Sequence, residues 1–212
     1  MSARQRTHRD WRRRRLGQNF LDPALAEQIV DEAKLVPGEL VVEVGAGTGA
    51  LTLALARRQV RVLAAEPDPV WAHRLRERVA ANRAVRVLGR DFLALDLPRE
   101  PFRVVGSLPF GRTTDILRRL LDDPALPLVR ADVIVQWEVA LKRAASPPTT
   151  LLSTAWAPWW DVQIVRRISA QSFRPVPRVD AGVLAITRRE PPLLPAAMAP
   201  SYAAFLRGQW PF

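Results

Sequence analysis

Short apolar runs and helical stretches take turns from Leu40 onward, and that alternation leaves few folds open. Leu40–Val44 is an apolar strand, followed by a glycine-rich turn and a helical stretch over 50–58. A strand over 60–65 precedes a helix over 69–81, and Val85–Leu88 and 102–106 are further strands. A helix over Thr113–Leu121, a strand over 133–137 and a helix over 138–143 continue the series. Strands separated by helices of this length predict a parallel, doubly wound α/β sheet covered on both faces. Ahead of them, DPALAEQIVDEAKL spaces Leu25, Ile29 and Ala33 on one helical face, with Asp22 as N-cap and Pro23 at the first helical position.

The last third changes pattern. WWDVQIVRRIS (159–169) and AGVLAITRR (181–189) read as two strands around QSFRPVPRVD, with no helix between them. They predict an antiparallel pair at the sheet edge with a proline-stiffened loop. Pro191, Pro192, Pro195 and Pro200 then have the composition of a linker, and SYAAFLRGQWPF starts one more helix. The expected organisation is a basic arm over 1–15, one α/β domain over 16–190, and a linker with the start of a helical region over 191–212.

Charge limits the partners. The net charge is +11, 30 of the 32 basic residues are arginine, and residues 1–15 hold seven arginines against Asp10. Such an arm, beside Trp11, fits a polyanion, and nucleic acid ahead of a membrane surface, since no long amphipathic helix accompanies it. It is expected to order only against that partner. No run approaches the roughly 18 apolar residues of a membrane span, and no apolar core follows the N-terminal arginines as in a secretory signal. Without cysteine, and with only His8 and His73, no metal site is expected, and the location expected is cytoplasmic. Trp137, Trp156, Trp159 and Trp160 read as packing residues, His73 as a helix-surface residue, and Asp122 and Asp123 as a helix end or turn.

Four strand ends carry chemistry. The first enters V-E-V-G-A-G-T-G-A, where Gly45, Gly47 and Gly49 let a ligand approach the backbone ahead of a helix N-terminus. Glu66, at the end of the next strand, is placed to hold ribose hydroxyls; this much fits a nicotinamide or an S-adenosylmethionine enzyme alike. Asp91 ends the third strand, either as a turn cap or as an acceptor for an adenine amino group with Phe92 beside the ring. The fourth strand runs into Ser107-Leu108-Pro109-Phe110. A polar residue, a rigid kink and an aromatic there suit a clamp for a flat base. A side-chain oxygen and a backbone carbonyl would accept the amine hydrogens and free its lone pair, positioning would supply most of the gain, and Phe110 would stack on the ring.

The segments R-L-G-Q-N-F-L-D (15–22), V-E-V-G-A-G-T-G-A-L-T (42–52), Glu66, G-R-D-F (89–92), S-L-P-F (107–110) and S-F-R-P-V-P-R-V-D-A-G-V-L (172–184) occur in that order. Together they resemble the rRNA adenine N6-methyltransferases, and within them the erythromycin-resistance (Erm) methyltransferases of actinomycete type. The resemblance covers about residues 15–207. It implies a Rossmann-like S-adenosylmethionine-dependent methyltransferase sheet with a truncated helical C-terminal appendage. It implies S-adenosyl-L-methionine as cofactor, bound by Asn19, Leu21, Gly45, Gly47, Glu66, Asp91, Phe92 and Ser107. Ser107, Leu108 and Phe110 would hold the target adenine, with Phe173 on its other face. The implied substrate is one adenine of the peptidyl-transferase loop of 23S rRNA, whose methylation confers macrolide, lincosamide and streptogramin B resistance.

Two features depart from that pattern. Serine stands at 107, where the family usually has asparagine; its hydroxyl still accepts a hydrogen bond but is shorter and also donates, which predicts a slower enzyme or one biased toward monomethylation. The chain also reaches only the threshold of the family's helical C-terminal domain. RNA contact is therefore expected from Arg12, Arg13, Arg14, Arg15, Arg166, Arg167, Arg174 and Arg178, with the protein a monomer. A small-subunit rRNA dimethyltransferase, or a catalytically weak nucleic-acid-binding protein on the same scaffold, are the alternatives.

Overall fold

The computed structural model describes residues 19–210. The basic arm, with Arg12, Arg13, Arg14 and Arg15, lies outside the described residues. The chain opens with a two-residue strand, β1 (Phe20–Leu21), and helix α1 (Pro23–Glu32). Asp22 caps α1 by accepting the N–H groups of Ala24 and Leu25, with proline in the first turn. Then come β2 (Leu40–Val44), α2 (Ala50–Ala56), β3 (Arg61–Ala65), α3 (Pro69–Val79), β4 (Val85–Leu88), β5 (Phe102–Ser107), α4 (Thr113–Leu121), β6 (Leu128–Gln136) and α5 (Trp137–Arg143). The last part holds α6 (Leu151–Trp156), β7 (Trp160–Ile168), β8 (Phe173–Arg174), β9 (Ala181–Arg188) and α7 (Ala199–Gln209).

Seven strands form one sheet in the order β4-β3-β2-β5-β6-β9-β7. The first five are parallel, while β9 runs antiparallel between β6 and β7. Both faces of the central strands are buried, which is why they read as continuous apolar runs. Val42, Val44, Phe102, Val104 and Val133 point into one core with α4 and the tryptophans. Val41, Val105 and Ile134 point into the other, against α1, α2 and α3. The fold is a Rossmann-like α/β sheet with an antiparallel edge pair.

Several elements differ from the sequence expectation. The strand expected from 133 begins at Leu128, and Trp137 starts a helix. Helix α6 was not anticipated; Thr150 caps it by accepting the Ser153 N–H. The loop expected to be merely proline-stiffened contains β8, which pairs with β1 at the other end of the chain. The stretch after Glu190 lies against the body. Leu193 donates its N–H to the Pro158 carbonyl, Tyr202 meets Trp159 edge-on at 6.0 Å, and Ala199 and Leu206 are buried.

The tryptophans pack as expected. Trp156, Trp159 and Trp160 are buried, and their indole N–H groups reach the Asp122 carboxylate and the carbonyls of Leu194 and Leu121. His73 is exposed beside Glu77. Among the described residues no helix is long and apolar enough to cross a membrane.

Candidate active site

β2 lies between β3 and β5, so the chain leaves it outward on either side, and a crevice opens beyond the carboxyl ends of these strands. The turn after β2 is drawn toward β3 by two N–H groups, those of Gly45 and Ala46, which share the Ala65 carbonyl at 3.0 Å. Gly45 (φ 74°) passes so close to β5 that a Cβ there would lie 3.0 Å from the Ser107 carbonyl oxygen. Gly47 (φ 53°) is covered by Phe20, whose ring a Cβ would meet at 3.2 Å. Both positions need glycine for φ and for space.

An open cavity of about 530 Å³, counting the solvent at its mouth, occupies this crevice. Gly45 and Gly47 line it from the turn after β2, Glu66 and Pro67 from the end of β3, and Ser107 to Phe110 from the end of β5. Asn19 and Phe20 close one side and Phe173 another. An inner recess shares Asn19, Gly45, Gly47 and Ser107 and adds Leu21 and Glu43.

The clamp loop is pinned at several points. Leu108, buried, donates its N–H to the Ile134 carbonyl at 3.0 Å. The Pro109 carbonyl accepts the Arg112 N–H and the Thr113 hydroxyl. Phe110 opens a single 3₁₀ turn to Arg112 and is half-buried at the cavity wall. Phe173 is fully buried yet lines the cavity, because β8 pairs Leu21 with Phe173 and Phe20 with Arg174. That short ladder ties the N-terminal wall to the aromatic opposite the clamp.

Two carboxyl groups stand behind the glycine turn. Glu66 is buried and accepts the N–H of Gly47 at 2.7 Å and that of Asp68 at 2.8 Å. Burial pushes its carboxyl up, opposed by these two donors and helped by the charge of Asp68. Glu43 is fully buried; one oxygen accepts the Thr52 hydroxyl at 2.5 Å, and the other has no partner. Burial pushes Glu43 up to about 8, with the Thr52 bond opposing and the Glu66 charge adding.

The remaining expected residues are distributed differently. Asp91 and Phe92 do not line the cavity. The Asp91 carboxylate caps a 3₁₀ turn by accepting the Leu93 N–H and sits 3.7 Å from Arg112, while Phe92 is buried in the core. Arg166 is engaged by both oxygens of Glu32, and Arg167 by Asp180 at 2.9 Å while stacked over Trp137. Their charges are thus largely met within the fold. Arg174 and Arg178 are exposed, and Arg174 donates to the Gln171 carbonyl.

Sequence reasoning gave no role to Glu43, although it stands inside the glycine motif, nor to the arginines of α3, of β4 and of the turns flanking β4. Arg74, Arg76, Arg78, Arg83, Arg86 and Arg90 are all exposed, and among the described residues none has a carboxylate partner. They line the open edge of the sheet, where the signal was their recurrence every few residues.

The comparisons with known proteins agree with this architecture. Residues 9–209 match the model of the ribosomal RNA adenine dimethylase family. The chain is 43% identical over 194 residues to an rRNA adenine N-6-methyltransferase of Streptomyces fradiae, covering 90% of this chain and 60% of that protein. It is 40% identical over 196 residues to the mycinamicin-resistance protein MyrB of Micromonospora griseorubida, covering 92% and 62%. It therefore spans about three fifths of the length of these relatives. The crystal structure of the 23S rRNA methyltransferase ErmE superposes with a TM-score of 0.80 at 33% identity, covering 89% of this chain and 78% of that one. With the family model matched over nearly the whole sequence, and the crevice placed where a doubly wound sheet binds its ligand, the chain belongs to the ribosomal RNA adenine dimethylase family.

Proposed function

We propose that this chain transfers methyl groups from S-adenosyl-L-methionine to N6 of one adenine in the peptidyl-transferase loop of 23S rRNA. It would act in the cytoplasm as a monomer and confer macrolide, lincosamide and streptogramin B resistance. The observation that carries the reading is the single crevice bounded by the Gly45–Gly47 turn and Glu66 on one side, and by Ser107 to Phe110 with Phe173 on the other. The names of the relatives and of the ErmE structure support it.

When bound, the cofactor supplies an electrophilic methyl group on a sulfonium. The chain supplies position. Glu66, with lone pairs left after its two backbone bonds, takes the ribose hydroxyls. Asn19, Leu21, Gly45 and Gly47 form the walls around the rest. On the substrate side, the Ser107 hydroxyl and the Leu108 carbonyl accept the hydrogens of the target amine, freeing its lone pair toward the methyl. Phe110 and Phe173 hold the extruded ring by stacking, worth roughly 1–3 kcal/mol per base, against an unstacking cost of a few kcal/mol. The arginines of α3 and β4 give the RNA backbone an unneutralised surface.

The test is transfer of labelled methyl to protein-free 23S and 16S rRNA, with the modified position mapped by primer extension. Label on one adenine of the peptidyl-transferase loop is expected. Label on 16S rRNA alone, or cofactor binding without transfer, would overturn the assignment. A Ser107→Asn variant is expected to turn over faster or to shift product toward dimethyladenine, and an unchanged rate and product would remove Ser107 from the clamp.

A further inference from the structure

Among the described residues, buried carboxylate oxygens are met by donors or cations, with one exception at the recess. Asp132 faces Arg103 and Arg130, Glu66 receives two N–H groups, and Asp68 receives that of Val70. Glu43, fully buried in the middle of the sheet, has only Thr52 as donor, through its hydroxyl and its backbone N–H, and one carboxylate oxygen is unpartnered. The same side chain lines the recess beside Gly45, Ala46, Thr48 and Ser107. A polar atom left without a partner in the wall of a cavity marks a place for a ligand group.

The surroundings of Glu43 define which group. Its neighbours in the sheet are Ala64 of β3 and Val105 of β5, and α2 contributes Thr52. The charged group that acts on it is Glu66, of the same sign, and among the described residues no cation counters either. A lone carboxylate there is strongly disfavoured until positive charge arrives. S-adenosyl-L-methionine carries two such charges, a sulfonium and an ammonium.

We propose that Glu43 holds a proton in the cofactor-free protein and releases it to solvent when the cationic cofactor enters the recess, so that loading and proton release are one linked event. The proposal rests on the cofactor reading above. The one bond broken is the carboxyl O–H: its electron pair stays on oxygen, the proton passes to buffer, and the carboxylate left behind balances one of the arriving charges. Glu43 is thus a positioning residue whose charge state follows occupancy of the site. Affinity for the cofactor then rises with pH, by up to tenfold per unit for one linked proton, and levels off above about 8. The free protein behaves in the opposite sense. A carboxyl raised on folding contributes stability that is fully present below its unfolded range near 4.5 and lost as the pH rises through about 8.

Titration calorimetry with S-adenosyl-L-methionine at pH 7, in buffers of different ionisation enthalpy, reads the proton count directly. Close to one proton released is expected for the protein as it stands, and close to none for Glu43→Gln, which keeps an acceptor for Thr52. A Thr52→Val variant, lacking the hydroxyl that favours the charged form, should move the levelling of affinity to higher pH, which covers the case of a Glu43→Gln protein that does not fold. Binding heat that is independent of buffer, or proton release undiminished in Glu43→Gln, would overturn the proposal while leaving the cofactor site intact. No binding heat at all would overturn the cofactor reading and this proposal with it.

Discussion

A single methyl group at residue 106 tests whether the crevice depends on the close approach of β2 and β5. Gly106 pairs with Val44 across the two strands, one residue before Ser107 and one before Gly45. A Cβ at this position would lie 2.6 Å from the Val44 carbonyl oxygen and 3.0 Å from its nitrogen and Cβ. These are mostly backbone atoms in the centre of a sheet, with β6 packed behind, so no side-chain rotation relieves the clash. The strands must part by some 0.4 Å merely to bring the oxygen contact to 3.0 Å. Overpacking of this kind costs about 1–3 kcal/mol, and the rigid neighbours put Gly106→Ala at the upper end. For a chain of this length that is a fall in Tm of roughly 6–12 °C. Cofactor affinity should fall as well, since the displaced residues lead directly into Gly45 and Ser107. Gly208→Ala is the matched control. Its Cβ would meet nothing within 4 Å on helix α7, and the helix preference of alanine should leave that variant as stable or up to about 1 kcal/mol more so. Calorimetric melting of both variants decides the matter. A Gly106→Ala protein that melts within about 1 °C of the parent would refute the close-packing argument.

Two further perturbations address other parts of the molecule. Asp132→Ala removes the carboxylate that joins buried Arg103 to Arg130, and leaving Arg103 to Glu39 and two carbonyls should cost about 3–5 kcal/mol, read as a lower urea midpoint at unchanged m-value. Replacing Arg83, Arg86 and Arg90 together by serine should reduce the slope of log affinity for rRNA against log salt by about 2 to 3, at unchanged cofactor affinity; an unaltered slope would make that edge a solvated surface only.

The parts of the fold that could be read from the sequence are those in which one local signal suffices. β2 and β5 show as apolar runs because both sheet faces are covered, and α1 is marked by the aspartate and proline at its start. The glycine turn and the Ser107–Phe110 loop are equally local, and the structure brings them to one cavity. Helix α6 escaped because six residues are too few to display a helical period. The β1–β8 ladder escaped because two residues at each end, some 150 positions apart, leave no pattern. For the charged residues the missing information is the partner. Arg166 reads as a free cation until the fold brings Glu32 to it from 134 positions away. The central strands make the point most sharply. Glu43, Arg103 and Asp132 each interrupt an apolar run once, and side-chain alternation sends all three to the same face as Val41, Val105 and Ile134. Arg103 and Asp132, on adjacent strands, meet and offset each other. Glu43, level with Asp132 but on the far side of β5, lines the cavity with a carboxylate rather than a cation for its charged neighbour. Three interruptions that look alike in the sequence are therefore separated by which strand each stands on and what faces it there, into a pair that is complete within the fold and a carboxyl group with one oxygen left unpartnered beside the cavity.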